Sequence, residues 1–384
     1  MDMKPTVAHL RETYLPLSET FIYAYLQHLR QWRPVVIARQ LENRHLFAAR
    51  NVHLIQLSAM ENVFDRATGR FFDRWPVWEK RLSALPRKTK AKVLHAHFGP
   101  AGVLSVRVAK RLGIPLVTTF YGADMSEFAR HPVWRRRYKS LFREGDHFLV
   151  EGPHMRQQLI RLGCPQEKTS LQHIAIDVQS IKPPEKRHNV GVPILLSCGR
   201  LVEKKGFEYA IRAMTGVVHQ VPAAEYHIIG DGPLRLYLEK LITNLGLTTN
   251  VRLLGSMTHQ QYLEYAPKAS IFLAPSVTAT SGDSEGGAPT TLLEMQAMAI
   301  PIVATHHADI PYVVRPNESA LLVDERNVDA LAQALLQLLA HPEQWSSMGS
   351  VGREHVERFH SIQREAVRLE TEVYDVLAAG AGQS

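Results

Sequence analysis

Three segments of this 384-residue sequence set glycines beside charge in a way that suits anion binding. In Ser197-Cys198-Gly199-Arg200-Leu201-Val202-Glu203-Lys204-Lys205-Gly206-Phe207 an apolar strand runs into Gly199, whose missing Cβ lets the backbone approach a ligand. Arg200 offers a planar fork that matches phosphate, and Lys205 a compact point charge. Two cations beside a helix start suit a diphosphate. The plain alternative is an exposed loop whose cations pair with neighbouring acids. In Ile229-Gly230-Asp231-Gly232-Pro233 a strand meets Gly-x-Gly, a turn tight enough to approach a base or a phosphate. Without the full dinucleotide fingerprint it is equally a simple turn.

The third segment carries most information: Ser281-Gly282-Asp283-Ser284-Glu285-Gly286-Gly287-Ala288-Pro289-Thr290-Thr291-Leu292-Leu293-Glu294. Pro289 suits a first helical turn. The amides of Gly287, Ala288, Thr290 and Thr291 would then meet an anion at the positive end of the helix dipole. A carboxylate accepts from vicinal hydroxyls, so Glu285 and Glu294 would hold a sugar ring and a ribose on either side of a diphosphate. Alternatively, Glu285 is a capping acid and Glu294 a member of a buried ion pair.

In this order and spacing the three segments resemble the donor-binding half of the family 4 glycosyltransferases, over about residues 195–325 and including Ala320-Leu321-Leu322-Val323-Asp324. The resemblance implies the GT-B fold, retention at the anomeric carbon, and a nucleotide-sugar co-substrate with no cofactor and no essential metal. It implies that Gly199, Arg200 and Lys205 meet the diphosphate, with Gly230, Gly232 and Gly286 to Thr291 around the nucleotide. Glu294 would take the ribose and Glu285 would lie near the donor sugar. The family separates its two glutamates by seven residues. Here eight intervene, so Glu285 or Gly286 takes the first position.

The amino-terminal half offers fewer signals. Leu15-Pro16-Leu17-Ser18-Glu19-Thr20-Phe21-Ile22 follows a strand, opens a helix and resembles the exopolysaccharide branch of the same family. Ser18 or Thr20 would cap that helix, or Ser18, Glu19 and Thr20 would line a cleft. In Leu94-His95-Ala96-His97-Phe98-Gly99, alternation puts His95 and His97 on one face of a strand. His97 is a candidate hydrogen-bond donor to a sugar or phosphate. No third ligand is evident, so the pair does not suggest a metal site. Phe120-Tyr121-Gly122-Ala123-Asp124 ends the next strand. Related enzymes often carry a histidine where Tyr121 stands, which leaves Tyr121, Asp124 or His97 to supply a polar contact. Asp124 would accept from an acceptor hydroxyl or cap a helix near Met125.

The elements that must position these residues alternate along the chain. Apolar β-branched runs at 35–38, 115–120, 194–198, 226–229, 271–274 and 302–305 read as buried parallel strands. Helical stretches such as 206–218 and 234–245 lie between them, which argues for parallel sheets covered on both faces. The expectation is an α/β chain of two Rossmann-like domains facing a cleft, where open sheets bind ligands. A proline-rich, charged stretch at 181–193 suggests a linker. The expected division is 1–185 for an acceptor domain, 186–360 for a donor domain, and a helix over 361–384 returning to the first domain.

Charge separates the halves. Residues 1–190 hold 31 Lys+Arg against 16 Asp+Glu (+15), and the remainder 14 against 21 (−7), giving the net +8. The basic residues gather at 80–92 and 134–143. Either they form a solvated face or, with Trp134 and Phe142, they enter lipid headgroups. No recognition motif accompanies the charge, so nucleic acid is not expected. The start resembles no signal peptide, no apolar run is long enough to span a bilayer, and Cys164 and Cys198 lack redox or metal spacing. Together these suggest a cytoplasmic enzyme, peripheral on the inner membrane face. Its expected partners are a UDP- or GDP-sugar and a saccharide, lipid-linked or small-molecule acceptor. A sugar phosphorylase, a nucleotide-sugar epimerase and a noncatalytic binding protein are the competing readings.

Overall fold

A computed structural model describes residues 4–16, 20–48, 50–126, 128–184 and 191–381. The chain divides into two compact units, 1–174 with 362–384, and 175–361.

The first unit is built on a seven-stranded parallel sheet. Its strands are β1 (Thr6–Tyr14), β2 (Arg33–Leu41), β3 (Val52–Leu54), β4 (Ala91–His97), β5 (Leu116–Thr119), β6 (His147–Val150) and β7 (Thr169–Leu171). They lie in the order β3-β2-β1-β4-β5-β6-β7. Every residue of β5 is buried, as expected of a strand covered on both faces. The core packs Leu94, Leu116 and Phe148 of the sheet against Leu82, Tyr138, Leu141 and Phe142 of the helices.

The carboxyl-terminal segment completes this unit. It runs as a helix Ile362–Arg368, a π-helical stretch Leu369–Tyr374 and a last helix Asp375–Gly380. Glu370 Oε1 accepts from the amides of Gln31 and Trp32, both at 2.8 Å, and the Trp32 indole donates to Asp375 Oδ1 at 2.8 Å.

The second unit repeats the plan with six parallel strands. These are β8 (Ile194–Cys198), β9 (Glu225–Ile229), β10 (Val251–Gly255), β11 (Ile271–Ala274), β12 (Ile302–Thr305) and β13 (Ala320–Val323), in the order β10-β9-β8-β11-β12-β13. It begins ahead of the proline-rich stretch, because residues 175–181 are held by its own last helix. The Ile176 amide donates to His360 O at 2.9 Å, and Arg353 donates to Ile181 O at 3.0 Å. Residues 185 and 186, where the sequence placed the boundary, lie outside the described residues.

In both sheets the chain reverses its lateral direction once, between β1 and β4 and between β8 and β11. The carboxyl ends of the strands flanking such a switch are where open α/β sheets hold ligands.

One sequence expectation is corrected. Phe142 does not face outward from the basic helix Pro132–Glu144; it is a core residue at 1% exposure. Tyr138, Leu141 and Phe142 form the inward stripe of that helix. Trp134 also packs against the core, and Arg137 stacks between Trp75 and Trp134, 5.1 Å from each ring centre.

Candidate functional site

In the second unit, the loops after β8, β9 and β11 carry all three glycine-rich segments. The first two interlock. The Gly199 amide donates to Ile229 O at 3.0 Å and the Leu201 amide to Asp231 O at 2.9 Å. Gly230 has φ +140°, and a Cβ there would lie 1.9 Å from Gly199 O. One at Gly232 would lie 2.8 Å from Leu201 N. These glycines therefore allow two loops to lie against each other.

Lys205 and Glu285 form an ion pair, Nζ to Oε1 at 2.9 Å, with the carboxylate side chain 7% exposed. Ser276 donates to the same oxygen at 2.8 Å. Burial pushes the Glu285 carboxyl up, but Lys205, Lys204 and the Ser276 hydrogen bond outweigh it and hold the group below its usual range. Between the alternatives for the first-glutamate position, it is Glu285 that faces the lysine. Gly286 has φ +79° and serves as a turn.

The rest of the loop is pinned by charge. Lys204 pairs with Asp283 at 3.1 Å, and Glu203 accepts from Thr280 N at 2.7 Å. Glu325 accepts from Thr278 N at 2.8 Å. It also meets His307 Nδ1 at 2.6 Å, while His307 Nε2 lies 3.1 Å from the Glu285 amide. An amide can only donate, so Nε2 accepts and Nδ1 carries the proton toward Glu325.

Two features remain open for a ligand. Arg200 is exposed, and its guanidinium has no hydrogen-bond or ion-pair partner among the described residues. Pro289 caps the helix Thr290–Ala297, and the amides of Gly287, Ala288, Thr290 and Thr291 donate to no acceptor among those residues. Glu294, buried within that helix, meets His259 Nε2 at 2.6 Å. His259 is 65% exposed, and its hydrogen bond to Glu294 raises its pKa. The Cys198 thiol is pushed up to about 12, by burial first and then by Glu294, with Lys205 opposing; Cys198 thus lies within electrostatic reach of both site residues.

In the first unit, His97 ends β4 and is buried, with Nδ1 2.7 Å from Tyr121 OH and Nε2 3.0 Å from His9 Nδ1. His95 and His97 share a face as alternation requires, their rings 4.4 Å apart. The third imidazole, absent from the sequence reading, comes from His9 on β1. Tyr121 is half-buried and its ring meets Phe21 at a tilt, 5.0 Å between centres. Asp124 is 1% exposed and accepts from the amides of Gly99, Tyr121 and Gly122 at 2.9–3.1 Å. Burial raises its pKa against those bonds. It ties two loops together. Thr20 starts the helix Thr20–His28 and is exposed. Ser18 and Glu19 lie outside the described residues.

Sequence reasoning missed His9, His259, His307, Ser276 and Glu325. Only His259 carried a local signal: Thr258 and Gln261 form a capping box that fixes it as the first residue of the helix His259–Tyr265.

Two family models match in tandem, Glycosyltransferase Family 4 over residues 18–180 and Glycosyl transferases group 1 over 178–355. The chain belongs to glycosyltransferase family 4. Among its relatives is WcaL of Escherichia coli K12, a glycosyltransferase named for colanic acid biosynthesis. It is 36% identical over 249 residues, which is 64% of this chain and 61% of WcaL. AmsK of Erwinia amylovora, an amylovoran biosynthesis glycosyltransferase, is 35% identical over 262 residues, 67% of this chain and 63% of AmsK. The family 4 chain thus spans about six-tenths of the length of these curated relatives. Its fold is GT-B: the Anabaena protein Alr3699/HepE, solved in complex with UDP, superposes with a TM-score of 0.80 at 14% identity, over 97% of this chain and all of HepE.

Proposed function

We propose that this chain is a retaining glycosyltransferase that moves a sugar from a nucleotide-diphosphate donor, UDP- or GDP-linked, to a hydroxyl of a saccharide, lipid-linked or small-molecule acceptor. The observation that carries this reading is the second unit's arrangement of unused donors at its strand switch. Among the described residues, Arg200 is an exposed guanidinium without a hydrogen-bond or ion-pair partner, and four amides at a helix start donate to no acceptor. Family membership and the UDP bound by HepE support the same assignment.

In this reading Arg200 and those amides receive the diphosphate, and Lys205 shares its charge between Glu285 and the phosphates. Negative charge grows on the leaving group as the sugar–phosphate bond breaks, so these groups stabilise the transition state more than the ground state. Glu294, oriented by His259, takes the ribose hydroxyls, and Glu285 takes a sugar hydroxyl. The leaving phosphate itself accepts the acceptor's proton, and the diphosphate needs neither a metal nor a cofactor.

Peripheral attachment to the inner face of a membrane, from the cytoplasm, belongs to the same proposal. Its support is the helix Ala59–Phe72, which exposes Met60 (83%), Val63 (67%) and Phe64 (53%) beside the exposed Arg66 and Arg70. Apolar side chains at that spacing with flanking cations suit an anionic lipid surface. No helix of the described residues is long and apolar enough to cross a membrane.

Thermal shift with UDP-, GDP-, ADP- and dTDP-sugars in the presence of EDTA tests the donor assignment. A dose-dependent rise with one of them, lost in Arg200→Ala, is expected. Equal shifts in wild type and Arg200→Ala would overturn the placement of the diphosphate.

A further inference from the structure

Three imidazoles meet inside the first unit. His9 stands opposite His95 in the parallel pairing of β1 with β4, and His97 is two residues further along the same face. All three are buried, and one nitrogen from each lies within 4.8 Å of the others. Polar rings at the centre of a parallel sheet displace the apolar residues that usually fill it, at a desolvation cost. Hydrogen bonding recovers that cost only in part. His97 uses both nitrogens, on His9 and Tyr121. His95 does the same, with Nδ1 2.6 Å from Tyr374 OH and Nε2 2.7 Å from Thr119 Oγ1. His9 has one partner through Nδ1, and its buried Nε2 has none among the described residues.

We propose that His9, His95 and His97 form a binding site for a divalent first-row transition metal of the zinc class. Imidazole nitrogen is a preferred ligand for these ions, and three protein ligands with a fourth open position is a recurrent set. His9 Nδ1 and His97 Nε2 are already 3.0 Å apart. Two nitrogens on one tetrahedral ion, each ~2.0–2.1 Å from it, stand about 3.3 Å apart, so these two rings need to part by only a few tenths of an ångström, and His95 closes on them from within 4.8 Å. The outer contacts of two of the three rings fit as well. A ligating histidine characteristically holds its second nitrogen on an oxygen partner. Tyr121 serves His97, and His95 keeps Thr119 or Tyr374 according to which of its nitrogens binds. The three rings, Thr119 and Tyr121 line a cavity of ≈ 20 Å³, room for about one water in the fourth position.

The ion would fix β1 to β4 and hold the Tyr121 hydroxyl through His97. This is a positioning role, separate from the diphosphate site, and it stands whether or not the donor assignment does.

Cobalt is the probe. The full chain, stripped with chelator and dialysed, is titrated with Co²⁺ while the visible d–d absorption of a tetrahedral site is followed. About one equivalent should bind per chain and be displaced by Zn²⁺. His9→Gln and His97→Gln should each abolish the bands, whereas His173→Gln, which alters another residue lining the cavity, should retain them. Tyr121→Phe preserves the ring and removes only the outer hydrogen bond, so its Co²⁺ affinity should fall about 10–100-fold. Three outcomes overturn the proposal: no d–d bands from the folded wild type, bands that survive His9→Gln and His97→Gln, or an unchanged affinity in Tyr121→Phe.

Discussion

The two cations after β8 differ in what the protein already does with them, and this separates binding from folding. Lys205 neutralises a buried carboxylate, whereas the Arg200 guanidinium has no hydrogen-bond or ion-pair partner among the described residues. Removing one member of a buried pair leaves the other charged and unpaired. Lys205→Met should therefore destabilise the chain by about 3 kcal/mol in urea unfolding, and adding Glu285→Gln should restore most of it. Arg200→Ala should leave the unfolding midpoint unchanged while lowering kcat about 10²–10³-fold, the range for losing one preorganised donor. A large stability loss in Arg200→Ala would mean that its charge has a structural partner. The Lys205 and Arg200 segment was legible because glycine and paired cations after an apolar strand form a local pattern. The Glu285 partnership was not, since it joins residues eighty positions apart, Nζ to Oε2 at 3.0 Å.

His259 also belongs to this scale. Its hydrogen bond to Glu294 raises its pKa above the ordinary 6.5. A raised histidine pKa means that the pair stabilises fully below the unfolded value and that this contribution is lost as pH rises through the folded value. NMR titration of the His259 ring should give a midpoint above 6.5 in the wild type and at or below 6.5 in Glu294→Gln, where burial alone acts on it. A wild-type midpoint at or below 6.5 would remove His259 as the residue orienting Glu294.

At the scale of elements, the long apolar strands and the helices between them followed from period and punctuation. Strands β8, β9, β11 and β12 lie where β-branched runs meet glycine, proline or charge. The three-residue strands β3 and β7 carry too few residues for alternation to show. Strand order is equally silent in sequence. His9 faces His95 because β1 pairs with β4, a neighbour fixed by sheet topology rather than chain proximity. The loop glycines read as permissive turns, but the structure makes several of them strict requirements, Gly206 and Gly230 above all. At Gly230, φ is +140° and an added Cβ would meet Gly199 O at 1.9 Å, backbone against backbone with no flexible side chain to yield. Gly230→Ala should cost about 2 kcal/mol or more in urea unfolding and weaken donor binding by displacing Gly199. Gly246→Ala is the control for a positive φ alone, since open space surrounds that position; it should cost less.

The whole molecule closes its first unit with its last helices, and that closure is sensitive to pH. The Glu365 carboxyl accepts from Gln172 Nε2 at 3.0 Å and from the His173 amide at 3.2 Å, at the exit of β7. Burial pushes its pKa up to about 7, with Arg368 only partly opposing. A carboxyl whose folded pKa exceeds its unfolded value near 4.5 favours folding while both states are protonated, below 4.5. That contribution is lost as pH rises through about 7. The rise from 4.5 to about 7 corresponds to on the order of 3 kcal/mol between acid and neutral conditions. Glu365→Gln keeps an acceptor and a donor but cannot ionise. Hydrogen exchange at pH 5 and pH 8, compared between the two proteins, isolates this group because the nearby His147 and His173 titrate in both. The variant should gain protection over wild type at pH 8 in residues 4–174 and 362–381, gain little at pH 5, and show no difference in 175–361 at either pH. Equal protection of the two proteins at pH 8 would mean that Glu365 ionises freely in the folded chain. A gain spread equally over both units would mean that they unfold as one body, contrary to the division at Ile174.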